Sequence, residues 1–347
     1  MTTHQKYMQR CIQLAKNGLG TTYPNPMVGS VIVHNNKIIG EGWHYEAGKP
    51  HAEVNAIASV KKTSLLKEST IYVSLEPCSH FGKTPPCSDL IIAKGIKKVV
   101  IGTIDTFDKV SGSGVQKLMS AGCDVIVGVL EKECADLNKR FFTFHNKKRP
   151  YIILKWAETK DGYIAPASTK KREPVWITNA YSRQIVHKWR AEEQAILVGN
   201  QTVLKDNPKL TIRDWFGKNP IRVVIDRSSK IPKDSSVLNL TTQTILITSE
   251  KHKNTNSDTL IYEIVDSQKC TTEEICAILY KHNIQSVIIE GGSHTIQSFI
   301  DKNLWDEARV FTGNTIFESG IKAPVYKGKM VSEERIKTDV LKTYQND

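Results

Sequence analysis

Four residues in the first quarter of the chain have the types and spacing of a zinc-dependent hydrolytic site. His51 and Glu53 lie two positions apart in HAEVNAI, and Cys78 and Cys87 flank the stretch SHFGKTPP. Imidazole and thiolate are zinc ligands, and a catalytic zinc site uses three protein ligands and keeps the fourth position for water. His51, Cys78 and Cys87 are therefore predicted to be the three ligands.

Glu53 makes this predicted metal site a predicted deaminase site. Two positions from the histidine, its carboxylate can reach a metal-bound water without coordinating the metal. Zinc lowers the pKa of such a water, and the glutamate can carry protons to the departing ammonia. Zinc deaminases commonly have two residues between the cysteines, whereas this chain has eight. Gly82 and two prolines allow the longer loop to bend, and a helix beginning after Cys87 favours a thiolate at its N-terminus.

Three alternatives remain at the level of these residues. His80 lies inside the loop and is a possible rival ligand. The two cysteines could be ordinary buried thiols, with His51 a helix-capping surface residue. A purely structural zinc site is the third alternative, but it would be one ligand short and would leave Glu53 without a role.

Alternating helical and strand-like patterns surround these residues. A helix over residues 4–18 places Tyr7, Cys11 and Leu14 on one face, and the strands VGSVIV and KIIGEGWH are joined by a tight turn at Asn35 and Asn36. The remaining pattern predicts a helix from His51, the strand TIYVSL, a helix after Cys87, the strand KKVVIGTI, a helix near 113–121, the strand CDVIVGVL and one closing helix around 131–145. The first half is thus predicted to be an α/β domain.

The basic segment HNKKRP marks the predicted boundary between domains 1–146 and 147–347. The second domain repeats the α/β pattern, with the strands YIILKWA, QAILVG, IRVVID, TILIT, SVIIEGG and EARVF and a helix in TTEEICAILYKHN. Gly291 and Gly292 end a buried strand and open a helix, whose free backbone amides could hold a cofactor phosphate; a simple tight turn is the alternative. VLKDNPKLTIR is predicted to be a loop between strands.

Composition limits the class of protein. The 347 residues suit two domains, and 39% hydrophobic residues without a long apolar run predict a cytoplasmic enzyme that contacts no membrane. Seven thinly spread cysteines favour reduced thiols or metal ligands over disulfides. The net charge of +12 suits binding to nucleic acid, binding to phosphate-bearing small molecules, or a solvated surface.

A nucleic-acid deaminase is the competing class of function, but aromatic residues make up only 7% of the chain and no RNP-like, GXXG or arginine-rich segment occurs. A catalytically silent zinc scaffold is a third class, against which Glu53 argues.

Several motifs together resemble one known family. TYPNPMVGSVIV, HAEVNAI and EPCSHFGKTPPC resemble the deaminase domain of the bifunctional riboflavin-biosynthesis deaminase/reductases, in which the eight-residue cysteine spacing is the rule. The likeness continues in KWAETKDGYIA, WIT, ILVGNQTVLKDNPKLTIR and IIEGGSHT. It implies a three-layer cytidine-deaminase-like domain followed by a dihydrofolate-reductase-like α/β domain. The implied reactions are zinc-dependent deamination of 2,5-diamino-6-(5-phosphoribosylamino)pyrimidin-4-one, then NADPH-dependent reduction of the ribosyl group of 5-amino-6-(5-phosphoribosylamino)uracil to ribityl.

The resemblance also implies roles for individual residues. Zinc ligation falls on His51, Cys78 and Cys87, and the proton shuttle on Glu53. The implied deaminase substrate contacts are Asn25, His44, His80 and Lys83. His80 is thereby assigned to the substrate and not to the metal. For Asn25, a turn residue without a substrate contact is the alternative. The implied NADPH contacts are Ala157, Trp176, Thr202, Asp206, Gly292, Ser293, His294, Thr295, Ile296, Gln297 and Ser298. The implied reductase substrate contacts are Arg190, Leu210, Arg213 and Glu290, with Asp206 and Lys155 as candidates for the proton that accompanies hydride transfer.

Two positions depart from the family pattern. Pro174 stands where a serine is expected two residues before the tryptophan of WIT, which puts one reductase substrate contact in doubt because proline offers no hydrogen-bond donor. DTFDKVSGSG replaces an expected DPNP after the strand ending near Thr103.

Family likeness further suggests a homo-oligomer, a dimer or tetramer, that binds no nucleic acid. The choice of NADPH over NADH has no signature of its own in the sequence.

Overall fold

The computed structural model describes residues 1–81, 85–105, 112–168, 172–249, 257–266 and 270–346. These divide into two units, Met1–Lys148 and Arg149–Asp347, each with its own sheet and hydrophobic core. Among the described residues, no helix combines the length and apolar character needed to cross a bilayer.

The first unit is built around a mixed five-stranded sheet. Its strands are β1 (Gly29–His34), β2 (Lys37–Trp43), β3 (Thr70–Leu75), β4 (Lys98–Thr103) and β5 (Asp124–Val127), in the spatial order β2-β1-β3-β4-β5. Its helices are α1 (Thr3–Ala15), α2 (Ala52–Ala58), α3 (Cys87–Ala93), α4 (Ser113–Ser120), α5 (Glu131–Leu137) and α6 (Lys139–Lys147). β3, β4 and β5 run parallel, whereas β1 is antiparallel to both of its neighbours.

Two hydrophobic clusters give this unit its three layers. On one face of the sheet, Ile32 packs with Ile57 of α2, Ile91 of α3 and Leu118 of α4. On the other face, Val31 packs with Met8 of α1, and Cys134 of α5 joins the same cluster. Neighbouring residues of β1 thus face opposite sides, and both sides are covered because strand residues alternate in direction. The three-layer arrangement predicted for this domain is confirmed.

The first hairpin forms as its sequence predicts. Asn35 and Asn36 both have positive φ, 47° and 59°, which is the backbone of a two-residue type I′ turn, and asparagine tolerates it.

The prediction of one closing helix around 131–145 is wrong, because α5 and α6 are separate helices that meet at Asn138. The buried Asn138 amide accepts from the Met27 N–H at 2.8 Å and donates to the Met27 carbonyl at 2.9 Å. This long-range pairing coincides with the break and has no signature in the local periodicity.

The second unit holds a nine-stranded sheet with helices on both faces. Its larger sheet has the order β11-β10-β9-β8-β12-β6-β13-β16-β15, and β7 pairs with β14 in a separate small sheet. The strands are β6 (Tyr151–Glu158), β7 (Tyr163–Pro166), β8 (Ala195–Gly199), β9 (Ile221–Ile225), β10 (Thr244–Thr248), β11 (Leu260–Ile264), β12 (Ser286–Ile289), β13 (Glu307–Thr312), β14 (Gly320–Lys322), β15 (Lys329–Ile336) and β16 (Asp339–Gln345). The helices are α7 (Ala180–Glu192), α8 (Asn200–Asp206), α9 (Thr272–Lys281) and α10 (Ser293–Asp301).

The parallel part of this sheet explains the near-continuous apolar strand sequences. β6, β8 and β12 lie side by side in parallel, and helices cover both faces, so their residues are buried whichever way they point. The carboxyl ends of these strands meet at one edge, which is where ligand sites form in open α/β sheets.

Two features of the second unit differ from expectation. The segment predicted to be a loop begins within a helix, because Val203 to Asp206 belong to α8, which ends where Asn207 takes a left-handed φ of 41°. The C-terminal hairpin of β15 and β16 was not predicted from sequence. β15 is an edge strand whose residues are almost all exposed, so it lacks the apolar alternation that reveals a half-buried strand.

Candidate active sites

His51, Cys78 and Cys87 come from three separate segments and meet at one point. His51 is the N-cap residue of α2, Cys78 lies three positions after β3, and Cys87 is the first residue of α3. The Nδ1 atom of His51 is 3.6 Å from Cys78 Sγ and 3.4 Å from Cys87 Sγ, and all three ligand atoms lie within 4.8 Å of one another. A tetrahedral zinc site with ordinary Zn–N and Zn–S distances separates nitrogen and sulfur ligands by about 3.6 Å. The three side chains therefore fit a zinc ion.

The hydrogen bonds around Cys78 favour its thiolate. The Cys87 thiol donates a hydrogen bond to Cys78 Sγ, and the Cys87 main-chain N–H lies 3.3 Å from the same sulfur. Together with His51, these donors lower the pKa of Cys78 to about 4. The pKa of Cys87 is raised, because its thiol is the donor in this pair and is buried. A negatively charged sulfur suits a divalent cation.

Glu53 lies next to this cluster on the first turn of α2. Its residue surface is only 3% exposed. Burial raises the pKa of Glu53 to about 7, and the negative charge of Cys78 adds to the rise. A carboxyl group with a pKa near neutrality can both take up and release a proton at physiological pH.

Two glycines of β2 allow α2 to lie close enough to hold these groups. A Cβ atom at Gly42 would be 2.4 Å from the Ala56 nitrogen, and one at Gly40 would be 2.5 Å from the Ala56 carbonyl oxygen. Any larger residue at these alternate positions would push the helix away from the sheet. The GEG pattern of β2 therefore sets the position of the helix that carries Glu53 and follows His51.

Asn25 and His44 lie beside the metal-ligand cluster and are linked to each other. The His44 Nδ1 is 3.1 Å from the Pro50 carbonyl, which can only accept, so Nδ1 carries the ring proton and Nε2 has the lone pair. The Asn25 amide nitrogen donates to that Nε2 at 3.1 Å, which orients the amide oxygen of Asn25 away from His44. The His44 and His51 rings are 5.4 Å apart, edge to face. Of the other residues expected here, His80 is exposed and Lys83 lies outside the described residues.

Glu76 is a residue of this site that sequence reasoning missed. Its buried carboxylate accepts hydrogen bonds from the main-chain N–H groups of Gly112 at 3.0 Å, Gly114 at 2.7 Å and Val115 at 3.2 Å. It thereby fastens the segment leading into Cys78 to the N-terminus of α4, where a negative charge is favourable. The available signal was an acidic residue at the end of a buried strand, directly before Pro77 and Cys78.

In the second unit, a group of charged side chains collects at the carboxyl edge of the sheet. Glu290 directly follows β12 and lies 2.7 Å from the Arg190 Nη2 of α7 and 4.0 Å from the Lys155 Nζ of β6. Burial would raise the pKa of Glu290, but the attraction of Arg190 and Lys155 outweighs it and lowers the pKa to about 2. Burial lowers the pKa of Lys155, and Glu290 opposes that effect. Arg190 and Glu290 are each about one-tenth exposed, so this is a buried pair and not a surface ion pair.

The glycine pair after β12 contacts α8 as well as opening α10. The Gly292 N–H donates to Thr202 Oγ1 at 3.1 Å, so two segments expected to bind the cofactor meet here. Among the described residues, no acceptor pairs with the N–H groups of Ser293 and His294, the first two residues of α10. A Cβ atom at Gly199 would be 2.7 Å from Thr295 Oγ1. These open amides and the tight glycine packing fit a phosphate-bearing cofactor at the helix N-terminus.

The remaining expected reductase residues differ in burial and in their contacts. Leu210 is buried with a left-handed φ of 54°, and its side chain packs in the core, so it can contact a ligand only through its main chain. Ile296 is also a core residue. Burial raises the pKa of Asp206, but no described contact joins Asp206 to Lys155 or Glu290. Trp176 is 56% exposed beneath the Arg183 guanidinium, and Pro174 is exposed as well. Ala157 lies on β6, two residues beyond Lys155.

Comparison with known proteins identifies the family. Residues 1–103 match the model for the cytidine and deoxycytidylate deaminase zinc-binding region, and residues 150–345 match that for the RibD C-terminal domain. The riboflavin biosynthesis protein RibD of Aquifex aeolicus is 41% identical over 322 residues, covering 91% of this chain and 88% of its own. This chain belongs to the RibD family.

Solved structures agree with that assignment over the full length. A diaminohydroxyphosphoribosylaminopyrimidine deaminase/5-amino-6-(5-phosphoribosylamino)uracil reductase from Thermotoga maritima is 40% identical and superimposes with a TM-score of 0.90 over 99% of both chains. Acinetobacter baumannii RibD is 30% identical with a TM-score of 0.88 over 99% of both chains. The chain therefore has the deaminase and reductase domains of a bifunctional RibD enzyme of riboflavin biosynthesis, with zinc and NADPH as its cofactors.

Proposed function

We propose that this RibD protein hydrolyses the amino group of 2,5-diamino-6-(5-phosphoribosylamino)pyrimidin-4-one. It then reduces the ribosyl group of 5-amino-6-(5-phosphoribosylamino)uracil to ribityl with NADPH. The observation that carries the proposal is the presence of both charged sites in one chain that matches the Thermotoga maritima deaminase/reductase over 99% of its length.

We assign His51, Cys78 and Cys87 as the zinc ligands, because their separations fit a tetrahedral ion. When bound, zinc supplies a water of lowered pKa as the nucleophile. Glu53 takes no part in ligation in this assignment. Its buried carboxyl oxygen accepts a proton and delivers it to the amino nitrogen as the carbon–nitrogen bond breaks, so that ammonia leaves and a carbonyl group replaces the amine.

Asn25 and His44 act as a pair in the proposed pyrimidine pocket. His44 fixes the orientation of the Asn25 amide through the 3.1 Å hydrogen bond, and the amide oxygen can then accept from an edge of the pyrimidine. A fixed amide orientation selects one donor and acceptor pattern, because the reversed pattern would leave polar groups unpaired. The contacts proposed for His80 and Lys83 stay predictions.

In the second unit, residues 292–298 with Thr202 hold NADPH in our proposal, while Ala157, Trp176 and Asp206 stay predicted cofactor contacts. NADPH supplies the hydride for the reduction when bound. The open N–H groups of Ser293 and His294 would donate to a cofactor phosphate. His294 is exposed and the Ile296 side chain is in the core, so both are assigned through their main chain.

Lys155 is the proposed proton donor to the ribose oxygen. It lies on β6 beside Glu290, whose negative charge opposes the lowering of the Lys155 pKa by burial. Asp206 was the other candidate, and the absence of any described contact between Asp206 and this group favours Lys155. Arg190, Arg213 and the main chain of Leu210 are the proposed phosphate contacts of the substrate.

The deaminase is proposed to occupy residues 1–146 and the reductase residues 147–347, close to the division between Lys148 and Arg149. A homodimeric or tetrameric state, a cytoplasmic location and indifference to nucleic acid stay predictions.

Separate measurement of the two products tests the proposal. The purified, zinc-loaded protein receives the phosphoribosylated diaminopyrimidine with and without NADPH, and ammonia release and NADPH oxidation are followed independently. We expect ammonia without NADPH, and substrate-dependent oxidation once NADPH is added. Ammonia alone would overturn the reductase assignment and direct attention to Pro174. Absence of both signals would favour a nucleic-acid substrate for the deaminase.

A further inference from the structure

His187 is a buried titratable residue that the proposed chemistry does not use. It lies on α7, three residues before Arg190, so both side chains project from the same side of the helix. His187 is 4% exposed. Its neighbours are the residues 211–214 that follow Leu210, here called the 211–214 segment.

The two α7 side chains hold this segment at separate points. The His187 Nδ1 accepts the main-chain N–H of Arg213 at 2.8 Å, with the Asp214 N–H at 3.5 Å from the same atom. Arg190 Nη1 donates to the Thr211 carbonyl at 3.2 Å. The position of the Arg213 side chain therefore depends on the imidazole of His187.

These contacts determine the tautomer of His187. A ring nitrogen accepts a main-chain N–H only through its lone pair, so Nδ1 is unprotonated and the proton of the neutral ring lies on Nε2. The Nε2 atom is 3.5 Å from Arg213 Nη2, but both atoms carry hydrogen and neither can accept from the other. The carboxylate of Asp214 is 3.7 Å from Nε2, and its side chain is 58% exposed. Two donors that close together are both satisfied by one shared acceptor, such as an anionic oxygen.

We propose that His187 is a positioning residue of the reductase, which holds the 211–214 segment through Nδ1 and turns Nε2–H and Arg213 toward one phosphate oxygen of the substrate. This inference rests on the proposed reductase function. It adds a neutral side chain to a phosphate site that is otherwise assigned to Arg190, Arg213 and the main chain of Leu210.

The charges around His187 keep this arrangement intact at working pH. Burial and the positive charges of Arg190 and Arg213 together lower the pKa of His187 to about 4, and the negative charges of Asp214 and Glu290 only partly oppose them. The ring is therefore neutral in neutral solution, and Nδ1 stays an acceptor. The contact behaves as a permanent part of the site and not as a pH switch.

Two amide substitutions separate the functions of the two ring nitrogens. In His187→Asn, the amide oxygen of the shorter side chain would occupy nearly the place of Nδ1 and could still accept the Arg213 N–H. In His187→Gln, the amide reaches the place of Nε2 and leaves that N–H unpaired. We expect His187→Gln and His187→Leu to raise the reductase KM at least about tenfold. His187→Asn keeps the contact made by Nδ1 but lacks the Nε2–H donor, so its KM is expected to rise less than in those two variants, with kcat changed less than KM in all three.

The measurement uses the full-length protein with the phosphorylated substrate and its dephosphorylated form. The ratio of kcat/KM between the two forms is expected to fall at least about tenfold in His187→Gln, because Arg213, once it loses the contact to Nδ1, is no longer held toward the phosphate. His282→Leu is the matched control, since the side chain of His282 is also largely buried, and its Nε2 lies 2.6 Å from a carboxylate oxygen of Glu263 on β11, the edge strand of the larger sheet. Its KM and its phosphate ratio are expected to match the wild type.

The outcomes distinguish this inference from the function on which it rests. An Asn variant as impaired as the Leu variant, or equal losses on both substrate forms, would overturn the positioning role while leaving the reductase assignment intact. A wild-type protein that oxidises no NADPH with either substrate would overturn the proposed reductase function itself. If His187→Leu does not fold, as judged by tryptophan fluorescence, the comparison of the Asn and Gln variants decides.

Discussion

Glu290→Gln tests the charged group on which the proposed reductase site is built. The substitution keeps the size of the side chain but removes the negative charge between Arg190 and Lys155. Both cations would then lie close together at a buried strand edge with no counter-charge. We expect a clear loss of stability in the second unit together with loss of reduction, while deamination continues in the first unit.

The magnitude of the stability loss follows in two independent ways. Removing one partner of a buried ion pair costs about 3–5 kcal/mol. The pKa of Glu290, about 2, lies below the ordinary 4.5. At about 1.4 kcal/mol per pKa unit, that difference corresponds to about 3.5 kcal/mol of stability at neutral pH. A lowered carboxyl pKa contributes stability above about pH 4.5 and loses it as the pH falls toward 2, so the gap between wild type and variant should narrow below about pH 4.5.

Urea unfolding of the full-length protein, followed by tryptophan fluorescence, measures this loss. Five of the six tryptophans lie in the second unit and the sixth is Trp43, so the signal reports mainly on that unit. Glu333→Gln is the matched control, because Glu333 pairs with Lys342 at 3.4 Å on the exposed hairpin and should cost about 0.5 kcal/mol or less. If Glu290→Gln is as stable as Glu333→Gln at pH 7, the structural reasoning about the buried pair is refuted.

Three further predictions concern the deaminase. Glu53→Gln should lower deamination at least about 100-fold, while zinc content and reduction of supplied deaminated intermediate stay at wild-type levels; loss of both activities in a folded protein would contradict separate sites. Gly114→Ala places a Cβ 2.1 Å from the Pro77 carbonyl just before Cys78, so zinc per chain, measured by elemental analysis, should fall. Met119→Ala, at an exposed position of the same helix, should retain full zinc and serves as its control. Treating the protein with a chelator should abolish ammonia release and spare NADPH oxidation, and equal loss of both would count against a metal confined to the deaminase.

Much of the first site could be predicted because its chemistry is carried by residue types at short spacing. A histidine, a glutamate and two cysteines in that order already predict three zinc ligands and a proton carrier, and the structure brings the three proposed ligand atoms within 4.8 Å of one another. The strands of the parallel sheets were equally visible, since a strand buried on both faces must be apolar throughout. The asparagine pair of the first hairpin likewise determines its own turn.

Contacts between distant segments were decided only by the tertiary structure. Glu76 holds main-chain N–H groups 36 to 39 positions away, and Asn138 pairs with Met27 across 111 positions. Arg190 and Glu290 are 100 positions apart, yet they form an ion pair because a helix and a strand end at the same edge of the sheet. Local sequence patterns report which face of an element is buried, but they hold no information about which polar group lies opposite. The sequence therefore carries the residue types on which the proposed metal chemistry depends, whereas the side chains that orient both sites were identified only from the tertiary structure.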